Sequence, residues 1–335
     1  MSPRLSSIAT AFPERSWTQR ECWDILKSST TVGKLKSRSV QLLEKVLTGD
    51  SGIEKRHFAT ASIEHVLSRN AQTLSETYES EATALGTAAL LKAMPADGVD
   101  ALFVCSCTGY LCPGLSSHIA EKAGLRPNIS LLDHTGAGCG AAIPTIRAAC
   151  NYVAANPGHR AAVVAVEICS AAFYVNDDPG VLISLCLFAD GAAAVVLDSE
   201  SKAGWRFSGF QTLHIPEQRE KIRFVNRDGY LCNQLDRAVP DLAASAVKKL
   251  YSTTVSQPRV ISHSAGRDVL NAIRSKLPHQ DLAEAAETLR LRGNVSSPSV
   301  LIALENALTR SSTEPLWLTS FGAGFSAHSC HLTHD

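Results

Sequence analysis

The chain has 335 residues, 45% of them apolar, and its 32 basic and 32 acidic side chains give a formal net charge of zero. This composition excludes a disordered chain and argues against binding to nucleic acid or an anionic membrane through a broad electrostatic field. No stretch has the roughly 20 uninterrupted apolar residues of a membrane helix. The N-terminal segment also lacks the features of a signal peptide. We therefore expect a cytoplasmic protein whose ten cysteines are thiols.

Short apolar runs alternate with longer segments of helical periodicity, which is typical of an α/β fold with buried strands. The apolar runs predict strands at 101–105, 129–132, 162–167, 192–197, 260–263, 316–320 and 326–332. The periodic segments predict helices at 79–94, 140–153, 242–251 and 298–308. Two similar Gly-rich strands, in FADGAAAVVL and SFGAGFSAHSCHL, indicate a duplication, and we place the boundary between the halves 1–198 and 199–335.

The composition becomes more polar between residues 198 and 239, where four cations lie close together: Arg219, Lys221, Arg223 and Arg227. The segment can be interpreted as a junction with excursions over a pocket. It can equally be a solvated surface loop of mixed charge.

Cys139 lies in a Gly-rich junction between a predicted strand and a helix of small residues. Gly136, Gly138 and Gly140 permit a sharp turn, and Pro144 suits the first helical turn, where backbone N–H groups lack helical partners. A thiol at that helix N-terminus would experience the positive end of the helix dipole, which favours the thiolate. The pattern therefore predicts a nucleophile, although a buried cysteine in a turn is the common alternative.

Two further polar residues lie at the ends of predicted elements. His263 ends a strand just before a turn and a helix, where α/β proteins place reactive groups. Asn294 precedes a helix with Ser297 as its predicted cap and Pro298 at its first position. Each residue taken alone could be structural, but with Cys139 they provide a nucleophile, a base and an amide donor.

Four blocks of sequence carry a family resemblance: GCGAA around Cys139, SHSAGRDVL around His263, GNVSSPSVLIALE around Asn294, and SFGAGF near the C-terminus. In this order they resemble type III polyketide synthases, the chalcone synthase-like branch of the thiolase superfamily. The resemblance implies an α/β thiolase fold with two duplicated halves in a layered αβαβα arrangement. It also implies a homodimer, with Cys139 in the N-terminal half and the other two residues in the C-terminal half.

The resemblance implies a decarboxylative Claisen condensation. Cys139 would hold an acyl starter delivered as acyl-CoA, and His263 and Asn294 would stabilise the enolate formed when malonyl-CoA loses carbon dioxide. Cyclisation to a pyrone or a resorcinol-type product would follow. The CoA thioesters are substrates, so no cofactor and no metal are expected, while a carrier protein in place of CoA remains open.

The family pattern assigns further substrate-binding positions to Phe188, Thr108, Cys112, Ala172, Ser296, Gly322 and Gly324. Phe188 matches a gatekeeper between the CoA tunnel and the reaction cavity. Cys112 matches a residue that reaches across the dimer interface into the partner's pocket. Plant members carry a larger residue at the position of Ala172, which implies a wider cavity and an aliphatic or bulky starter.

Other positions depart from the plant pattern. Asn233 stands where a second gatekeeper phenylalanine is expected, and Ala323 replaces a proline of the cyclisation loop. The family's basic contacts to CoA phosphate have no clear counterpart. The nearest candidates are Lys45, Lys55 and Arg56.

Three alternatives remain open at this point. A ketoacyl synthase III-like enzyme uses the same three residues for a single condensation. A papain-type Cys-His-Asn hydrolase has the same residue order, but Gly140 stands where an aromatic residue follows its nucleophile. A metal site could use Cys105 and Cys107, or the histidines of 328–334, but neither group has the paired C-x-x-C spacing of a zinc site.

Overall fold

The computed structural model describes residues 3–60, 62–63, 67, 69–201, 203–310 and 313–335. The strands are β1 (Arg4–Ala11), β2 (Ser16–Thr18), β3 (Lys55–His57), β4 (Ala101–Cys105), β5 (Ser130–His134), β6 (Ala161–Glu167), β7 (Gly191–Asp198), β8 (Trp205–His214), β9 (Ile222–Arg227), β10 (Tyr230–Leu235), β11 (Arg259–Ser262), β12 (Leu316–Gly322) and β13 (Ser326–His334). The α-helices are α1 (Gln19–Ser28), α2 (Ser37–Thr48), α3 (Ala71–Ala93), α4 (Leu115–Lys122), α5 (Ala142–Ala155), α6 (Pro179–Leu187), α7 (Val239–Tyr251), α8 (Arg267–Lys276), α9 (Ala283–Arg292) and α10 (Ser299–Leu308).

The main sheet has the strand order β5-β4-β6-β7-β1-β8-β13-β12-β11. From β5 to β1 the pairings are parallel, parallel, antiparallel and antiparallel. From β11 to β8 they are parallel, antiparallel and antiparallel, so the pattern repeats. One residue pair, Arg4 with Arg206, joins the two sets into one hydrogen-bonded order. The division at residue 198 stays a prediction.

Helices separate the two sets of strands and cover their outer faces. The central helices α5 and α10 contact strands of both sets. Helix α3 packs against the outer face of the N-terminal set, and α7 packs against the outer face of the C-terminal set. Strand β6 is buried at every residue, as a strand covered on both faces requires. The layers therefore follow the predicted order αβαβα.

The helix boundaries differ from the predictions where the first turns are polar. Helix α3 begins at Ala71 rather than 79, because Asn70 caps it by accepting a 2.9 Å hydrogen bond from the backbone N–H of Thr73. Strand β1 was not predicted, since its serines interrupt the apolar run. Within the described ranges, no helix combines the length and apolarity needed to cross a membrane.

The polar segment after residue 198 contains regular structure rather than a loop. It forms strand β8 at the centre of the main sheet and the separate antiparallel hairpin β9–β10. The hairpin packs against α6.

Candidate active site

The backbone around Cys139 forms the tight turn that its glycines predict. Strand β5 leads through a 3₁₀ turn at Gly138–Gly140 into α5, and Cys139 is buried. Strand β12 approaches this turn so closely that a Cβ at Gly322 would lie 2.6 Å from the backbone nitrogen of Gly140. Gly322, predicted to lie in the cyclisation loop, therefore allows β12 to pack against the turn that carries Cys139.

Residues 294–299 link the three predicted catalytic residues. The hydroxyl of Ser296 donates a 3.1 Å hydrogen bond to the Sγ of Cys139, and its backbone N–H donates a 2.9 Å bond to the Oδ1 of Asn294. The Nδ1 of His263 is hydrogen-bonded to the hydroxyl of Ser299 in the same segment. Residues far apart in sequence thus converge on one short stretch of chain.

The hydrogen bonds of Ser299 fix the tautomer of His263. The hydroxyl of Ser299 donates a 2.6 Å bond to the carbonyl oxygen of Ser296, so it can only accept from His263. The proton of the neutral imidazole is therefore on Nδ1, and Nε2 carries a lone pair. The ring of Phe321 packs edge-on against the imidazole with centroids 5.2 Å apart.

Backbone geometry at Ser296 shows local strain. Its φ is +55°, a left-handed conformation that residues other than glycine seldom adopt. Such strain persists where surrounding contacts hold it and is common at functional sites. Here the bonds of Ser296 to Asn294 and Cys139 hold the turn.

A buried carboxylate that the sequence analysis missed lies beside the nucleophile. Glu167, at the end of β6, accepts hydrogen bonds from the backbone N–H groups of Cys107 and Thr108 at 3.0 and 3.1 Å. It also accepts a 2.6 Å bond from the hydroxyl of Ser297, and the hydroxyl oxygen of Ser296, whose single proton is shared with Cys139, lies 3.3 Å away. The prediction that Ser297 caps α10 is wrong, because its hydroxyl is committed to this carboxylate and the helix begins at Ser299.

Burial disfavours the charged forms of both the thiol and the imidazole. Burial, reinforced by the negative charge of Glu167, raises the pKa of Cys139 to about 12, despite a hydrogen bond from Ser296 that acts in the opposite direction. Burial lowers the pKa of His263 to about 3. Burial and the charge of Glu167 therefore oppose the thiolate that the helix dipole was expected to favour.

A cavity that is partly open to solvent lies in front of Cys139. It is lined by Cys107, Thr108, Gly138, Cys139, Cys169, Ala172, Phe173, Ser184, Phe188, Ile222, Arg223, Phe224, Asn233, Ser296 and Ala323. Four of the predicted substrate-binding residues are in this lining. The other three are not in it. Cys112 is exposed on the surface, and Gly322 and Gly324 flank Ala323, which is in the lining.

The hairpin β9–β10 forms one wall of the cavity, which confirms the interpretation of the polar segment as an excursion over a pocket. Ile222, Arg223 and Phe224 face the cavity from β9. From β10, Asn233 donates a 2.7 Å hydrogen bond from Nδ2 to the hydroxyl of Ser184 on α6. A polar bridge thus replaces the aromatic contact expected at this position.

Two interpretations of individual residues require correction. Cys107, considered above as a metal ligand, lies beyond β4 and lines the cavity, where its thiol donates to Glu167 at 3.3 Å. Arg56 was a candidate for CoA phosphate, but it is only 1% exposed. Across the described ranges, no cluster of three His, Cys, Asp or Glu side chains could hold a metal ion.

Comparisons with known proteins agree with this geometry. A family model described as FAE1/Type III polyketide synthase-like protein matches residues 12–216. A 3,5-dihydroxyphenylacetyl-CoA synthase of Amycolatopsis orientalis is 30% identical, covering 93% of this chain and 87% of that protein. The enzyme of the same name from Streptomyces toyocaensis is 28% identical, covering 93% and 84%.

A solved structure has the same fold. The 1,3,6,8-tetrahydroxynaphthalene synthase of Streptomyces coelicolor, a bacterial type III polyketide synthase, superposes with a TM-score of 0.86 at 23% identity, covering 99% of each chain. This likeness confirms the thiolase-type α/β fold, and the family match favours a type III polyketide synthase over a papain-type hydrolase or a ketoacyl synthase III. The chain therefore belongs to the FAE1/type III polyketide synthase-like family of acyltransferases.

Proposed function

We propose that this enzyme loads an acyl starter on Cys139, extends it with malonyl-CoA by decarboxylative condensation and cyclises the product. The observation that carries the proposal is the convergence of Cys139, His263 and Asn294 on residues 294–299 beside the cavity in front of Cys139. No bound cofactor is required, because the thioesters bring the activated groups. A cytoplasmic location is part of the proposal, and all ten cysteines are free thiols.

In the loading step, Sγ of Cys139 attacks the carbonyl carbon of acyl-CoA. The Nε2 lone pair of His263 accepts the thiol proton, and the bond between the acyl carbon and the CoA sulfur breaks. The CoA sulfur leaves as a thiolate that takes a proton from solvent, so His263 keeps the thiol proton on Nε2 for the extension step and returns it to the Cys139 thiolate at the end. The tautomer fixed by Ser299 suits this task, since it leaves Nε2 unprotonated before the reaction.

In the extension step, malonyl-CoA loses carbon dioxide, and the electron pair of the broken bond moves to the thioester oxygen as an enolate. His263 and Asn294 donate hydrogen bonds to this oxygen. The Oδ1 of Asn294 is bonded to the backbone N–H of Ser296, so Nδ2 is the end that can donate. The enolate carbon then attacks the acyl carbonyl on Cys139, and the thiolate leaves.

The cavity lining supports an aliphatic starter and a resorcinol-type product. Ala172 takes up little space, and its neighbours Cys169 and Phe173 are apolar. The relatives named above make 3,5-dihydroxyphenylacetyl-CoA, whose ring carries the two hydroxyl groups of a resorcinol. A pyrone is the alternative product, and acyl carrier protein is the alternative donor.

The active form is proposed to be a homodimer joined through the edge strand β5. Leu131 and Leu132 on this strand are 41% and 45% exposed, and nearby Tyr110 is 76% exposed. An apolar edge strand is a template for pairing with another chain, and a two-fold axis makes the pairing closed. The exposed Cys112 lies in the same region as Tyr110, in accord with its expected reach into the partner's pocket.

Acyl loading tests the proposed function. Incubation with a panel of acyl-CoAs of increasing chain length should add one acyl group to the intact mass of the wild-type protein. The starter that loads fastest should then yield a cyclised product with malonyl-CoA. Cys139→Ala should load none, while Cys150→Ala, which removes a buried thiol on α5, should load normally. Loading on the Cys139→Ala protein would contradict the proposal.

The raised pKa of Cys139 predicts how its alkylation depends on pH. Because only the thiolate reacts, labelling by iodoacetamide should rise about tenfold per pH unit from pH 7 to pH 9 without levelling off. Peptide mass spectrometry measures the rate at Cys139, and a large excess of fresh iodoacetamide keeps the reagent concentration constant. A rate at Cys139 that is constant across this range would mean that the thiolate is already formed.

Asn294→Asp separates the two chemical steps. The new carboxylate retains the acceptor for the backbone of Ser296 but replaces the Nδ2 donor with a negative charge. Malonyl-CoA decarboxylation should fall on the order of 100- to 1000-fold, as loss of an oxyanion donor does. Acyl loading should stay near the wild-type rate. Asn306→Asp, on the next helix, is the control, and equal losses in both steps would refute this division of roles.

The dimer interface can be tested with one charge. Leu132→Lys places two like charges near the two-fold axis, so sedimentation should show a monomer where the wild type is a dimer. Val255→Lys, at a fully exposed loop position, should leave the dimer intact. A monomeric wild type, or a dimeric Leu132→Lys protein, would exclude this interface.

A further inference from the structure

Arg56 on β3 is a buried cation whose hydrogen bonds go to neutral acceptors. Its Nε donates to the side-chain oxygen of Gln19 at 2.9 Å, and one Nη donates to the carbonyl oxygens of Leu185 and Phe188 at 2.7 and 2.9 Å. Among the side chains that the structure describes, no carboxylate lies within 4 Å of it. Burying a cation without a counter-ion costs free energy, and here only hydrogen bonds offset that cost.

Those bonds satisfy the end of helix α6. The last four carbonyl groups of a helix have no partners within it. At the end of α6 these are the carbonyl groups of residues 185, 186, 187 and 188. Arg56 donates to the first and the last of these carbonyl oxygens, and the side-chain Nε2 of Gln19 donates to the second at 2.9 Å. The third accepts a 2.9 Å bond from the backbone N–H of Asn294. A cation at a helix C-terminus is also favoured by the helix dipole.

The same turn holds the gatekeeper and the catalytic amide in register. Phe188 and Asn294 form a parallel bridge, completed by a 3.0 Å bond from the N–H of Ala189 to the carbonyl of Asn294. Gly293 lies directly on the arginine stem, since a Cβ there would be 2.8 Å from the Cγ of Arg56. The guanidinium therefore contacts the segment that carries Phe188, and the arginine stem contacts the segment that carries Asn294.

We propose that Arg56, supported by Gln19, is a positioning residue that sets the orientation of Asn294 and Phe188. Arg56 is outside the cavity lining, so it acts through the main chain of residues 185–189 and 293–294. The inference rests on the proposed role of Asn294 as a hydrogen-bond donor to the enolate. A displaced amide donor weakens the step in which negative charge develops on the oxygen that it contacts, which is the malonyl thioester oxygen during decarboxylation.

Arg56→Met retains the buried stem and removes the donors. Malonyl-CoA decarboxylation should fall on the order of tenfold to 100-fold, as displacement of a catalytic group by about 1 Å does. Acyl loading on Cys139 should stay near the wild-type rate. Arg56→Lys keeps one cationic donor and should recover part of the decarboxylation. In the Asn294→Asp background, Arg56→Met should have little further effect, because the donor it aligns is already absent.

Arg259→Met is the control for loss of a partly buried arginine outside the site. Arg259 is paired with Glu284 and Glu314 at the start of β11, so this variant should lower the melting temperature without changing the ratio of decarboxylation to loading. Equal losses in both steps for Arg56→Met, or full additivity with Asn294→Asp, would overturn the inference. If the wild-type protein itself fails to load, the proposed function fails instead.

Discussion

The arrangement of the site depends on the hydrogen bonding of one buried carboxylate. Glu167 is fully buried, and a charge in that position is tolerated only when its oxygens are well supplied with donors. Residues 106–108 after β4 supply donors from the N-terminal set of strands, and Ser296 and Ser297 supply them from the C-terminal part of the chain. These hydrogen bonds hold residues 294–299 next to the turn that carries Cys139.

The same burial that organises the site keeps its reactive groups uncharged. Neither a thiolate at Cys139 nor an imidazolium at His263 is favoured in the unliganded cavity, and the negative charge of Glu167 opposes the thiolate further. In the proposed mechanism, the proton transfer between them accompanies attack on the acyl thioester. A resting thiol that is weakly nucleophilic is also protected from unselective alkylation and oxidation.

Local sequence rules predicted the parts of the site that depend on local geometry. Glycines around Cys139 require a tight turn, and His263 and Asn294 stand at the ends of predicted elements, where the structure has them. Predictions failed where a tertiary contact decides. Ser297 is a good helix cap by propensity, but a carboxylate 130 residues away in sequence uses its hydroxyl. The burial of Arg56 likewise follows from the end of α6, which sequence spacing does not reveal.

The most direct test of the central claim is a crystal structure of the enzyme with a starter acyl group trapped on Cys139. With a malonyl-CoA thioester analogue bound beside the acyl group, we predict that the carbonyl oxygen of the analogue lies about 2.7–3.1 Å from both the Nε2 of His263 and the Nδ2 of Asn294, the range expected for oxyanion donors. The acyl chain should extend past Ala172. Acylation of Cys107 instead, or a carbonyl oxygen directed away from both donors, would contradict the account.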